Sequence, residues 1–483
     1  MTQSTANARS FERSLTRHPS RSPSSLELTP GSRVAVLGGG PAGSFFSYFL
    51  LEMAQRVGIE LQVDIYERRE FTAIGPSGCN MCGGIISESL VQALATDGIN
   101  LPPSVVERGI DSYVLHMDVG SVAIDTPLHE KRIASVHRGG GPKGAKEVRW
   151  HSFDAHLLDR AMEKGASVVS GRVDEVSLEE GRPRLKVKEQ SEATYELLAV
   201  AVGVNTGILK AFENLSIEYT PPRTTGTYIC EFFLGEELIE KHLGTSMHVF
   251  LLNLPRLEFA AIIPKGEYVS VCLLGREIDD ALIGSFLNSP EVRQIMPQGW
   301  EMPSTYCSCR PRISVGAASK PYADRLVFIG DSGATRLYKD GIGAAYRTAK
   351  AAAATAVFQG IAADDFRRHY LPVCRAIERD NLLGRMVFQV TREIQRRQFE
   401  RRGVLRMVSK EQSEADGIRR LSTVLWDTFT GSAPYREILL RTLHPGFLTR
   451  LAWETVAGVV GGSGNSGAHA AMQDEAQISA IDH

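Results

Sequence analysis

The chain has 483 residues, 43% hydrophobic and 23% charged, with a formal net charge of -2. That profile fits a globular protein of roughly two to four domains, large enough to enclose a ligand. The near-neutral charge gives no argument for a nucleic-acid partner, and no apolar run is long enough to span a membrane. Seven cysteines, unevenly spaced, fit a reducing compartment better than a disulfide framework, so a cytoplasmic protein is expected.

Residues 1–30 carry Arg9, Arg13, Arg17 and Arg21 but no apolar core, which argues against a secretory signal and for a disordered tail. Residues 461–483 read the same way. Between them, residues 33–37 form a short apolar strand ending in glycines. A helix over about 42–56 and a second strand over 61–66 complete a β-α-β unit. Residues 110–136 are strand-like and 138–144 form a glycine-rich loop. A helix over 152–164 follows, with Ser152 as its N-cap. Strands are expected at 166–178, 183–188 and 194–202. Residues 216–306 alternate in the β manner, notably 257–264 and 268–274. A buried-type strand over 325–329 runs into Gly330-Asp331. An alanine-rich helix over 343–358 follows, and the chain then reads as helical to about 460.

The motif Gly38-Gly39-Gly40-Pro41-Ala42-Gly43 lies between the first strand and its helix. There glycines permit a tight turn and close approach of a pyrophosphate, and the helix N-terminus offers free amides. Glu67, 24 residues after Gly43 and followed by Arg68, is placed to accept hydrogen bonds from ribose hydroxyls. A carboxylate there disfavours a 2′-phosphate, so FAD or NAD fits better than NADP. A second strand–glycine–helix junction, Gly330-Asp331 followed by Asp340-Gly341-Ile342-Gly343, suits an extended cofactor held at both ends. FAD is therefore the expected cofactor.

With these two junctions the chain resembles the flavoprotein superfamily built like para-hydroxybenzoate hydroxylase, over roughly residues 31–360. The resemblance implies that Asp331 binds the ribityl chain and that Gly341 and Gly343 lie beside the isoalloxazine. It implies an α/β fold with an α+β second domain. A Rossmann-like FAD-binding domain (31–95, 145–215 and 305–360) would interleave with a β-sheet substrate domain (96–144 and 216–304). A helical C-terminal region would occupy 361–460. A third family motif is altered: 203–207 carries Asn205 where aspartate is usual, which puts direct NAD(P)H use in question. Arg149 approximately matches a family arginine near the cofactor.

Cys82-Gly83-Gly84, followed by Ser87 and Leu90, resembles the Cys-Gly-Gly segment of geranylgeranyl reductases. That resemblance implies reduction of a carbon–carbon double bond in an isoprenoid-like substrate, with Cys82 near the flavin. A thiol there could donate a proton; a small buried residue filling space is the plainer reading. The aromatic-rich substrate motif of that group survives only as Phe259 and Pro264 in 259–264, so the pocket is expected to be apolar with its ligand open. Cys79 and Cys82 with Cys307 and Cys309 invite a redox pair more than a metal site, since their spacing is poor for zinc. Residues 366–410 hold twelve Arg and Lys against four Asp and Glu, and Leu383, Met386, Val387, Val390 and Ile394 recur at helical spacing. A peripheral membrane or redox-protein contact competes there with an ordinary packed helix having a solvated basic face. The electron donor, NAD(P)H or ferredoxin, is left open. The rival functions are a flavin monooxygenase or halogenase and an electron-transfer flavoprotein.

Overall fold

A computed structural model of the chain describes residues 26–126, 133–145, 150–188, 192–414, 419–446, 449 and 453. Arg149, residues 1–25 and residues 461–483 lie outside them. Residues 26–30, expected as tail, belong to the body. Leu28 is buried in the first core, and the Ile361 amide donates to the Leu26 carbonyl.

A six-stranded sheet runs in the order Tyr322–Ala323, Leu326–Phe328, Leu197–Val200, Ser32–Leu37, Leu61–Glu67, Ser167–Ser170. Every pairing except the first is parallel. Strands this apolar need cover on both faces. Helices Pro41–Arg56 and Gly341–Phe358 pack on one face in a common core. The other face carries the small sheet built from Val173–Glu179, Arg182–Val187 and Ala193–Thr194. Helix Phe153–Glu163 starts where expected, with the Ser152 hydroxyl accepting from the Ala155 amide. This is a Rossmann-type arrangement whose strands come from distant parts of the chain.

A second, eight-stranded sheet holds Thr224–Phe233, Tyr268–Gly275, Leu257–Lys265, Ser246–Phe250, Ser112–Met117 and Gly120–Asp125 in that order, with Cys307–Cys309 and Arg312–Ser314 beside Thr224–Phe233. Leu257–Lys265 is buried at every position. The reason is two-sided packing. Phe259, Ala261 and Ile263 enter one core, and Leu257, Ala260 and Ile262 enter another. The second core is closed by helices Glu236–His242, Asp280–Leu287 and Pro290–Ile295, which the all-β expectation for 216–306 missed. Two of them are capped: Asp279 accepts from the Leu282 amide and Ser289 from the Val292 amide.

The first core of this sheet is covered by the C-terminal helices Leu371–Arg396, Gln398–Ser413, Arg420–Thr430 and Tyr435–Thr442. Their apolar stripe is offset from the sequence pattern. Ile377, Gly384 and Phe388 are buried, whereas Met386 and Val390 are exposed. Several cations of 366–410 turn inward: Arg392 pairs with Glu258, Arg401 with Asp118, and Arg385 donates to the Val315 carbonyl. Among the described residues no helix is long and apolar enough to cross a membrane.

Candidate functional site

One cavity of about 590 Å³ runs from the first glycine motif to the apolar face of the second sheet. Gly38, Gly40, Pro41, Ala42, Glu67, Arg68, Cys82, Gly83, Asp331, Gly341 and Ile342 all line it. Gly43, Gly330 and Gly343 do not; they shape the backbone behind the wall. A Cβ on Gly43 would overlap the Gly38 carbonyl oxygen. Gly330 has φ +60, and a Cβ there would stand 2.7 Å from the Ala42 Cβ, so the two junctions touch. The Gly343 amide donates to Asp340, the N-cap of its helix.

Three observations test the fit of FAD. Helix Pro41–Arg56 has no side-chain cap and no acidic residue in its first turn, leaving a positive end for an anion. At the other end the buried Thr335 Oγ1 makes no hydrogen bond of normal geometry among the described residues, and a Cβ on Gly341 would lie 3.6 Å from that oxygen and 3.9 Å from Asp331 Oδ1. This is a polar cradle for hydroxyls or a ring edge. Burial pushes the Asp331 carboxyl above its ordinary range, with Thr335 and Arg138 acting against it. Glu67 is partly engaged: Oε2 accepts from the Gly39 amide and Oε1 from the Arg69 amide, each at 2.9 Å. A carboxylate has further lone pairs, so ribose binding and loop support are compatible. The donor set fits the cofactor.

Residues 80–85 bridge the two ends of the cavity. A Cβ on Gly40 would stand 3.0 Å from Asn80 Nδ2, and Asn80 donates to Asp154 (2.7 Å) while accepting from Arg69 (2.9 Å). Asp154 also pairs through both oxygens with Arg138. Arg138 and Asp154, both buried, with the half-buried Asn80 and Arg69 form a polar clasp beside the glycine loop that sequence patterns gave no reason to assemble. At the other end a Cβ on Gly83 would meet Cys272 Sγ at 2.9 Å. That glycine lets the segment press on the second sheet. Cys82 Sγ faces the cavity and lies 3.4 Å from the Gly84 amide.

The apolar end is built from alternate residues of adjacent strands: Ile229, Phe259, Ala261, Ile263, Cys272 and Leu274. Met247, Tyr338 and Phe429 complete it. All seven cysteines are free. Register sets Cys309 opposite Ile229 and Ile229 opposite Cys272, and burial pushes Cys309 and Cys272 up to about 12. Among the described residues no cluster of three or more His, Cys, Asp or Glu is placed to hold a metal.

Asn205 has its own explanation. Its Nδ2 donates to the Arg312 carbonyl (2.9 Å) and its Oδ1 accepts from the Arg312 amide (2.8 Å). Aspartate could make only the second bond.

No protein-family model and no curated protein matches the chain. Solved structures do. A flavoprotein/dehydrogenase from Cytophaga hutchinsonii is 12% identical with a TM-score of 0.57, covering 88% of this chain and 99% of its own. The halogenase PltM, as a variant in complex with FAD, is 11% identical with a TM-score of 0.55 over 88% and 91%. A peptidyl tryptophan dihydroxylase essential for tryptophylquinone cofactor biogenesis is 16% identical with a TM-score of 0.52 over 76% of each chain. The chain shares its Rossmann-type fold with these structures.

Proposed function

We propose that the chain is an FAD-dependent oxidoreductase that reduces a carbon–carbon double bond in an apolar, isoprenoid-like substrate. The observation that carries it is the single cavity joining the two glycine junctions to an apolar wall, with Cys82 on the segment between them. The first helix terminus and Glu67 would hold the adenosine diphosphate half of FAD. Asp331, Thr335 and Gly341 would hold the ribityl and ring half. FAD held there would, when reduced, supply the hydride chemistry of the reaction. Phe259, Ala261, Ile263 and Leu274 orient the substrate and exclude water, and the Cys82 thiol delivers the proton to a carbon of the double bond.

A second reading, monooxygenation, has support in fold neighbours that include a dihydroxylase and a halogenase. One experiment separates them. The FAD-loaded protein is reduced anaerobically and mixed with prenyl lipids, and products are weighed by mass spectrometry. Gain of two hydrogens without oxygen is the expected result. Turnover only with oxygen, with an oxygen atom gained, overturns it in favour of the second reading.

A further inference from the structure

The least explained group in the cavity is Lys339. It lines the apolar end and is half-buried. Its ammonium lies 4.3 Å from the Phe259 ring centroid and 5.5 Å from that of Phe429. Among the described residues its side chain has no carboxylate or hydrogen-bond partner, unlike the neighbouring Arg336 and Arg138. Arg336 is held by Asp340 and the Gly431 and Ala433 carbonyls, and Arg138 by Asp154. Two aromatic faces stabilise a cation only modestly against the loss of water.

The backbone is strained to put it there. Tyr338 (φ 59) and Asp340 (φ 53), on either side of Lys339, both occupy the left-handed region, which disfavours a bulky side chain. The turn is then clamped. The Leu337 amide donates to Asn381 (2.8 Å), the Tyr435 hydroxyl donates to the Leu337 carbonyl, and Gly431 packs so close that a Cβ on it would stand 3.4 Å from Lys339 Cβ. Three helices and two left-handed residues thus aim into the apolar end an amine that has no partner among the described residues.

We propose that Lys339 is the anchor for a single anionic group on the substrate, and that the substrate is an apolar carboxylic acid with its carboxylate on Lys339 and its chain along Phe259, Ala261 and Ile263. This rests on the assignment of the apolar end as the substrate end. At the apolar end, Lys339 is the cation without a counterion among the described residues, and it matches one negative charge; a diphosphate would bring two or more charges against it. Burial pushes the amine down to about 7, so a bound carboxylate would restore its charge by supplying the missing counterion.

The test is calorimetric titration of the FAD-loaded full chain at slightly acidic pH with farnesoic acid, farnesol and farnesyl diphosphate. Flavin absorbance of the same samples reports cofactor content separately. The acid is expected to bind at least about ten-fold tighter than the alcohol, the size of one buried charge-assisted contact. Lys339→Met is expected to abolish that preference while keeping flavin and alcohol affinity, and Lys339→Arg to retain part of it. Equal affinity for acid and alcohol in the wild type, no binding of either, tighter binding of the diphosphate, or an acid preference that survives Lys339→Met overturns the proposal. The wild-type arms decide the matter even if a variant fails to fold. A colourless protein defeats the oxidoreductase assignment instead, and the acid preference can still be read on it.

Discussion

Glu107 offers a quantitative test of the packing behind the Cys-Gly-Gly segment. It is buried, with neither carboxylate oxygen hydrogen-bonded. His137 Nε2 is 3.6 Å away; on its other side His137 approaches Glu231, and Glu231 faces Lys265 at 3.5 Å. Burial lifts the Glu107 carboxyl from 4.5 to about 8, with Lys265 opposing and Glu231 reinforcing the rise. The folded protein therefore keeps a proton that the unfolded chain releases above its ordinary value. Stability falls as pH rises through that window, by about 1.4 kcal/mol per unit and up to roughly 3 kcal/mol between pH 5 and 8. Glu107→Gln is neutral at both pH values and removes this slope. Buried His137, lowered to about 4 by burial, contributes an opposite slope at lower pH, but equally in both proteins. Urea denaturation of wild type and variant at pH 5 and 8 gives the double difference. The variant should gain at least about 1 kcal/mol relative to wild type on going to pH 8. A double difference near zero would mean that Glu107 is ionised in the fold, refuting the reasoning.

Three further outcomes are expected. Gly43→Ala should leave a folded protein that no longer retains FAD, since its Cβ would displace the Gly38 turn; normal flavin content by absorbance would contradict this. Asn205→Asp should lower stability by up to about 1 kcal/mol in thermal unfolding through loss of the exposed bond to the Arg312 carbonyl, and a raised Tm would count against that pairing. Cys82→Ala should keep FAD but slow single-turnover reduction of substrate by about 100-fold, whereas an unaltered rate would remove the thiol from the chemistry.

What was legible in the sequence was what local geometry demands. Gly38 to Gly43 and Gly330 stand at strand ends where only glycine tolerates the turn or the neighbouring chain, and that constraint is visible in a short window. Leu257 to Pro264 was legible as a strand, but its burial on both faces and its use of Phe259, Ala261 and Ile263 for the cavity depend on which core each face meets. Short capped helices such as Asp280–Leu287 were hidden by apolar composition that reads equally as strand. Asn80, Arg138 and Asp154 meet only through folding across 74 residues, and Lys339 stands out because, among the described residues, nothing pairs with it. No motif records an absent partner. Of the stripe over 383–394, Leu383, Val387 and Ile394 pack against the core while Met386 and Val390 are exposed, because spacing gives a helix face but not the surface that covers it.

The most direct measurement of the central claim is titration of FAD into the purified full-length chain, followed by absorbance and by cofactor release on denaturation. Saturation at one FAD per chain, with a spectrum perturbed from that of free flavin, is predicted. A protein that is colourless as purified and takes up no FAD would contradict the assignment of the cavity.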